Sequence, residues 1–343
     1  MEYLNVKSAN NLFFLEGNRM KNIAIFTGNR AEWGLLKPLA YGMKHGYKDF
    51  DIQVIVSGAH LSPEFGETKK YISDEFFPVE VPILMDGDDN TAVTQSMGMG
   101  LIQYPAVLTK MKPDCIIVFG DRYESLTMAI AAYNQRIPIA HIQGDDETLG
   151  SLDNGYRKAI RALATYHFDV KDYGSLCCNF PILDDIDVPC DYLVVYHPNG
   201  NIKELSNIIK AIKYLPNVVF IKGNCDAGGR ENNDYLGNAN APVITNVSRE
   251  RYLQLLKQAK VIIGNSSSGI TEAPSFDTAT VNVGDRQKGR IRASSVLDCD
   301  GTVEGIREAI TKAMEVKFPV ANPYYIPNTV QNIINDLRKY LNM

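Results

Sequence analysis

The sequence has no surplus of basic residues. Lys and Arg total 35 against 40 Asp and Glu, for a formal net charge of −5. A protein that works along a nucleic-acid backbone needs a basic footprint, so no nucleic-acid partner is expected. A small anionic ligand stays open, because a few placed arginines suffice for one. Long apolar runs are also missing. Cys115–Phe119, Met128–Tyr133 and Tyr192–Tyr196 fall far short of the ~20 residues of a spanning helix, so no membrane partner is expected either. Nothing at the N-terminus reads as a secretory signal, since Leu12–Leu15 is its only apolar cluster and Glu16 and Asn18 follow. Cys115, Cys177, Cys178, Cys190, Cys225 and Cys299 include no CxxC pair and no zinc-type spacing. A reduced, cytoplasmic protein without a metal site is expected. GxxxxGK[ST], HExxH and GxSxG do not occur, and no GxGxxG opens the first helix, which argues against a nicotinamide cofactor. No cofactor is expected at all.

What remains is an ordinary globular composition, 45% apolar and 22% charged over 343 residues, enough for two domains or one large one. From residue 20 onward, apolar runs alternate with helical stretches. Strands are expected at Asn22–Thr27, Asp51–Ser57, Asp114–Gly120 and Ile137–Ile142, and again at Asp191–Tyr196, Asn217–Lys222, Ala259–Gly264 and Thr278–Val283. Helices are expected at Glu32–His45, Glu124–Asn134, Ile202–Leu215, Arg249–Gln258, Gly269–Pro274, Val303–Val316 and Thr329–Leu341. Strands apolar on both faces imply parallel sheets covered by helices, hence two doubly wound α/β units. The expected division is an N-terminal extension over 1–19 and a first Rossmann-like domain over 20–168. A join over 169–190 follows, and then a second domain over 191–343 that includes the terminal helix.

Ligands of open α/β sheets bind beyond the carboxyl ends of the strands, so the residues that follow each strand are the candidates. After the first strand, Gly28 permits a sharp turn and Arg30 stands at a helix start, either as an anion site or as a surface arginine. Asp121 follows the 114–120 strand, either as a helix cap or as a carboxylate facing the cleft. His141-Ile142-Gln143-Gly144-Asp145-Asp146-Glu147-Thr148 is a dense polar loop. Asp153 and Arg157, four apart on the next helix, share a face. His197 ends a strand in Tyr196-His197-Pro198. Gly264-Asn265-Ser266-Ser267-Ser268-Gly269 has the small residues and hydroxyls that let a phosphate approach a helix start, with Glu272 placed to hold ribose hydroxyls. Arg286, Lys288, Arg290 and Arg292 crowd into one short stretch, reading either as a rim for an anionic substrate or as a surface salt-bridge cluster.

These strings resemble the UDP-N-acetylglucosamine 2-epimerases, specifically the hydrolysing branch of sialic acid biosynthesis. The resemblance runs through TGNRAEWGLLKPL (27–39), VSGAHLSPEFG (56–66), QSMGMGL (95–101), KPDCIIVFGDRYE (112–124), IPIAHIQG (137–144), LDNGYRKAI (152–160), YHP (196–198) and NCDAGGR (224–230). GNSSSGITEAPSF and VNVGDRQKGRIRASSV, within 264–296, are the most specific to that branch. The resemblance implies a GT-B fold, two Rossmann-like domains facing a central cleft, and a homodimer. It also implies a reaction in which UDP is eliminated across C1–C2 of UDP-N-acetylglucosamine and water adds to the glycal, giving N-acetylmannosamine. By position, Asp121 and Asp153 match the catalytic carboxylates, and His197 matches a histidine near the diphosphate. Arg30, Ser266, Ser267, Ser268, Gly269 and Glu272 match the nucleotide site, and Arg157, Asp226 and Arg286 the substrate side. Gln143 stands where many members carry a catalytic Glu, and the 169–190 join is short. Two alternatives therefore stay open: a nucleotide-sugar-binding homologue with reduced catalysis, or an epimerase for a related UDP- or GDP-linked amino sugar.

Overall fold

The computed structural model describes residues 19–343 apart from 88, 182, 185–187, 200–201, 224–227 and 246. The 1–19 extension, but for Arg19, lies outside the described residues. So does Asp226.

The first unit runs β1 (Lys21–Thr27), α1 (Arg30–Gly46), β2 (Phe50–Ser57), β3 (Val79–Val81), α2 (Asn90–Met111), β4 (Cys115–Phe119), α3 (Tyr123–Asn134), β5 (Ile139–Ile142), α4 (Asp153–Leu163), β6 (Tyr166–Phe168) and α5 (Val170–Tyr173). The second runs β7 (Tyr192–Val195), α6 (Ile202–Ile212), β8 (Val218–Ile221), α7 (Gly229–Tyr235), β9 (Val243–Ile244), α8 (Arg249–Gln258), β10 (Val261–Gly264), α9 (Ser267–Thr271), β11 (Ala279–Val283), β12 (Val296–Cys299) and α10 (Val303–Ala313). A last helix, α11 (Thr329–Tyr340), follows.

Among the described residues the strands form two six-stranded sheets, ordered β3-β2-β1-β4-β5-β6 and β12-β11-β10-β7-β8-β9. Every recorded strand pairing is parallel. Read from the other edge, the second order repeats the first, so each sheet reverses direction once, between β1 and β4 and between β7 and β10. Those two reversal points open the crevices where loops splay apart. The strands are buried on both faces because helices cover both, which is why they read as apolar runs. No helix among the described residues is long and apolar enough to cross a membrane.

Besides the short elements β3, β6, β9, β12, α5 and α7, which the sequence reading does not include, three elements differ from it. Helix α2, 22 residues long, is not expected from periodicity. It buries only Ala92, Ser96, Gly100, Tyr104 and Leu108, one narrow stripe four residues apart that contains a Ser and a Gly. Such a stripe gives little hydrophobic signal, and Pro105 interrupts it further. The expected helix Gly269–Pro274 is instead two pieces, α9 and a 3-10 turn at Ala273–Phe276. Pro274 cannot donate the bond that would continue α9.

The third difference concerns α11, expected with the second domain. Its Ile333, Ile334 and Leu337 pack into the first core with Leu36, Leu39 and Met43 of α1. Arg338 binds Asp49 at 2.5 Å and Tyr47 donates to Asn335 at 2.9 Å. The apolar stripe of α11 is correct from sequence; its partner is not, because periodicity marks a face and not the surface that face meets.

The 169–190 join, which lacks periodicity, is held by polar anchors. Asp145 accepts from the Val170 and Lys171 amides at 2.7 and 3.3 Å, and Arg161 pairs with Asp169 at 2.5 Å. Leu176, Cys177 and Cys178 form a buried turn behind it.

Candidate active site

A single cavity takes in the loops at both reversal points. One wall includes Asn29, Arg30 and Glu32 beyond β1, Asp121 and Arg122 beyond β4, and Thr148, Ser151 and Asp153 beyond β5. The opposite wall holds His197 beyond β7, with Arg249, Tyr252, Ser266, Ser267, Ser268, Glu272, Arg286 and Arg290.

On the first side, Asn29 caps α1 by accepting from the Glu32 amide at 3.1 Å, which turns Arg30 into the cavity. Burial lowers the pKa of the Arg30 guanidinium. Its charge is partly stripped of water and favours an anion. Asp121 does not cap α3; Arg122 holds the cap position, without a side-chain cap bond. Asp121 instead pairs with Arg157, which is almost wholly buried and also donates to Thr148 Oγ1 at 3.0 Å and Asn154 Oδ1 at 3.3 Å. Arg157 therefore stands behind the wall and orients Asp121, and the structure does not bring it into the cavity. Asp153, at the start of α4, is in the wall and accepts from Ser151 Oγ at 3.0 Å.

Gln143 is not in the cavity wall. Its backbone is left-handed, at φ 59°, and its side chain turns to the join. Oε1 accepts from Ser175 Oγ at 2.9 Å and from the Leu176 amide at 2.8 Å. The expected catalytic position is thus an anchor for the link between the units. Asp146 of the same loop, also absent from the cavity wall, pairs at 2.9 Å with Arg290 from the second unit, both nearly buried. Burial raises the Asp146 pKa, against the pull of Arg290 and Arg157.

On the second side, Asn265 clamps His197 by two backbone bonds, accepting from its amide at 2.7 Å and donating to its carbonyl at 2.8 Å. Gly264 makes this approach possible. Its φ is +137°, and a Cβ there would stand 2.1 Å from the Val195 oxygen. Ser266 caps the five-residue α9, and Tyr252 bonds Ser268. Gly269 is absent from the cavity wall. A Cβ on it would meet Thr280 Cγ2 at 2.7 Å, so its smallness serves the seat of α9 on β11. Glu272 pairs with Arg249 at 2.8 Å, and Arg249 also donates to the Cys177 carbonyl at 2.9 Å.

The basic stretch divides. Arg286 donates to the Asn265 carbonyl at 3.1 Å and faces the cavity, as does Arg290. Arg292 is a surface partner of Asp298 at 2.9 Å. The stretch thus splits between cavity-facing and surface members. The two units also touch around the cavity mouth: the Leu149 amide donates to the Lys288 carbonyl at 2.8 Å, and a Cβ on Gly150 would stand 2.0 Å from the Asp285 oxygen.

Sequence reasoning missed Arg249, Tyr252 and Glu32 of the cavity wall. Asp146 lies in the loop already singled out, and only its burial separates it from its neighbours. Arg249 and Tyr252 carry no local signal, since a helix start with an Arg is ordinary.

Two parallel sheets facing one cleft lined with cations and hydroxyls have the architecture of the GT-B fold. Solved structures bear out that fold. A UDP-N-acetylglucosamine 2-epimerase from Neisseria meningitidis bound to UDP-N-acetylglucosamine superposes with a TM-score of 0.74 at 19% identity, covering 93% of this chain and all of that one. The family model for UDP-N-acetylglucosamine 2-epimerase matches residues 44–173 and 182–338, and the chain belongs to that family. Among curated relatives, the hydrolysing GDP/UDP-N,N'-diacetylbacillosamine 2-epimerase of Campylobacter jejuni is 33% identical over 87% of this chain and 88% of its own length. The hydrolysing UDP-N,N'-diacetylbacillosamine 2-epimerase of Legionella pneumophila is 30% identical over 85% of this chain and 90% of its own.

Proposed function

We propose that the chain is a hydrolysing 2-epimerase of a UDP-linked 2-acetamido sugar, with UDP-N-acetylglucosamine as the parent substrate. The observation that carries this reading is the placement of Asp121 and Asp153 on one wall with Arg30, His197 and the serine turn around the same cavity. The C2 proton is weakly acidic, so a carboxylate held at fixed geometry is needed to remove it. Arg157 gives Asp121 that geometry. As the C1–oxygen bond breaks, charge gathers on the diphosphate, and Arg30, His197, the Ser267 and Ser268 groups and Arg286 stabilise it. Glu272, fixed by Arg249, receives the ribose hydroxyls. Water then adds to the glycal, with a wall carboxyl returning a proton to C2, so the products are N-acetylmannosamine and UDP. Asp146 holds Arg290 at the cavity wall.

The test is NMR of the product in heavy water. UDP release with N-acetylmannosamine deuterated at C2 is expected; absence of both sinks the reading.

A second reading is a diacetamido sugar carried by UDP or GDP. The two relatives at 33% and 30% identity, both hydrolysing diacetylbacillosamine epimerases, favour it. Comparing kcat/KM for the two sugars decides, and a clear preference for the parent sugar rejects this reading.

A further inference from the structure

Two buried carboxyl groups flank the first-unit turn, and the mechanism above uses neither. Glu32 is nearly buried at the cavity wall, and its Oε2 accepts from the Gly28 amide at 2.7 Å. Glu124, fully buried, lies against the same glycine. A Cβ on Gly28 would stand 3.1 Å from Glu124 Cβ and 3.3 Å from its carboxyl carbon. Arg122, a wall residue, forks onto Glu124 through two bonds of 3.1 Å. Ser125 Oγ is 3.5 Å from Glu32 Oε1.

Two carboxyls and one forked guanidinium leave one negative charge in excess where little solvent reaches. That charge is costly unless a proton cancels it. A neutral Glu32 keeps the bond to the turn, giving its carbonyl oxygen to the Gly28 amide.

We propose that Glu32 is a positioning residue that acts in its neutral form, holding the Gly28–Arg30 turn and, through Glu124, Arg122 in the geometry that receives the diphosphate. The proposal rests on the reading of this cavity as a nucleotide site. Ionisation of Glu32 then sets two carboxylates against each other behind the turn and loosens it. The titratable and charged groups that face Glu32 are Glu124 on α3, Arg122 and Asp121 on the turn before α3, and Tyr104 on α2. His60 lies beyond Thr27. Burial, and after it Glu124, pushes the Glu32 carboxyl up to about 8; Arg122 and the Gly28 amide pull the other way, and Asp121 adds to the rise.

The test compares wild type, Glu32→Gln and Glu32→Ala by calorimetric UDP binding and by thermal unfolding, each near pH 7 and near pH 9. Wild-type affinity should fall about tenfold between those pH values, as the neutral fraction of a group titrating near 8 does. In Glu32→Gln the fall should be about twofold or less. Gln keeps the carbonyl that Gly28 needs, so Glu32→Gln should bind UDP about tenfold more tightly than Glu32→Ala near pH 7. Tm should also drop more on raising the pH in wild type than in Glu32→Gln, an arm that needs no nucleotide. An equal pH response of Glu32→Gln and wild type in either measurement overturns the proposal. Binding by Glu32→Gln no better than by Glu32→Ala also overturns it. Wild type that fails to bind UDP near pH 7 overturns the nucleotide-site reading instead, and the unfolding arm still decides the state of Glu32.

Discussion

The two reversal-point turns begin alike, Gly28-Asn29-Arg30 after β1 and Gly264-Asn265-Ser266 after β10, and each opens a helix. What stands behind them differs. The first is backed by Glu32, Glu124 and Arg122, all ionisable. The second is backed by an amide and a carbonyl, with Asn265 clamping His197 and Gly264 pressed against the Val195 oxygen. The same division runs through the cavity. The first wall supplies the carboxylates Asp121 and Asp153 together with Arg30 and Arg122, whereas the second supplies serine hydroxyls and cations together with Glu272. On the proposed reading the acid–base carboxylates lie on the first side, and the buried ionisable groups behind its turn should make that side the more sensitive to mild changes of pH.

The largest expected effect tests that separation directly. Asp121→Asn should lower kcat by about a thousandfold, the range for a lost acid/base group. Glu272→Gln, across the cavity, should chiefly weaken UDP binding, by about 10- to 100-fold, the worth of a charged hydrogen bond. Steady-state kinetics with calorimetry separates the two. A change in KM alone for Asp121→Asn would erase the division. Gly264→Ala should cost about 3 kcal/mol of stability, because a left-handed φ and a Cβ on the Val195 oxygen combine. Denaturant unfolding measures it, and a loss below about 1 kcal/mol would mean that the second turn is softer than its contacts indicate.

A smaller effect comes from two buried histidines of the first unit. His60 lies between Thr27 and Thr68 at 3.0 and 2.9 Å, and His141 contacts the Gly120 carbonyl at 2.7 Å. Burial holds both down to about 4. Their folded pKa values are depressed, so the stability they contribute is present above the unfolded value near 6.5 and is lost as pH falls from there through 4. His60→Gln should flatten part of the decline in Tm over that window; an unchanged slope would place the acid sensitivity elsewhere. The smallest effect is Gln143→Glu. A carboxylate there can still accept from Ser175 and Leu176, but it buries a charge outside the cavity. Stability should fall by about 1–3 kcal/mol with no gain in kcat. A rise in kcat would return position 143 to the catalytic set.

How much of this was legible in the sequence follows from what kind of signal each part leaves. Strands buried on both faces are long apolar runs, and the glycines and serines beyond them mark where a backbone must come close to a ligand. The fold, Arg30, Asp121, Asp153, His197 and the serine turn could therefore be found. Gln143 could not be placed, because a residue at the edge of a cleft turns in or out by one backbone dihedral. Gly269 has the same appearance whether its missing side chain makes room for a phosphate or, as here, for Thr280. Arg157 sits four residues from Asp153 yet reaches behind Asp121 instead. Each of these depends on which way a side chain points, and spacing along the chain does not encode that.

The return of α11 to the first core has a consequence for synthesis. Its apolar face covers Leu36, Leu39 and Met43, which leave the ribosome before the second unit, whereas Thr329–Tyr340 leave after it. During translation the second unit can close around its own sheet while the first waits with an uncovered flank. The half that carries Asp121 and Asp153 is thus the last to be sealed.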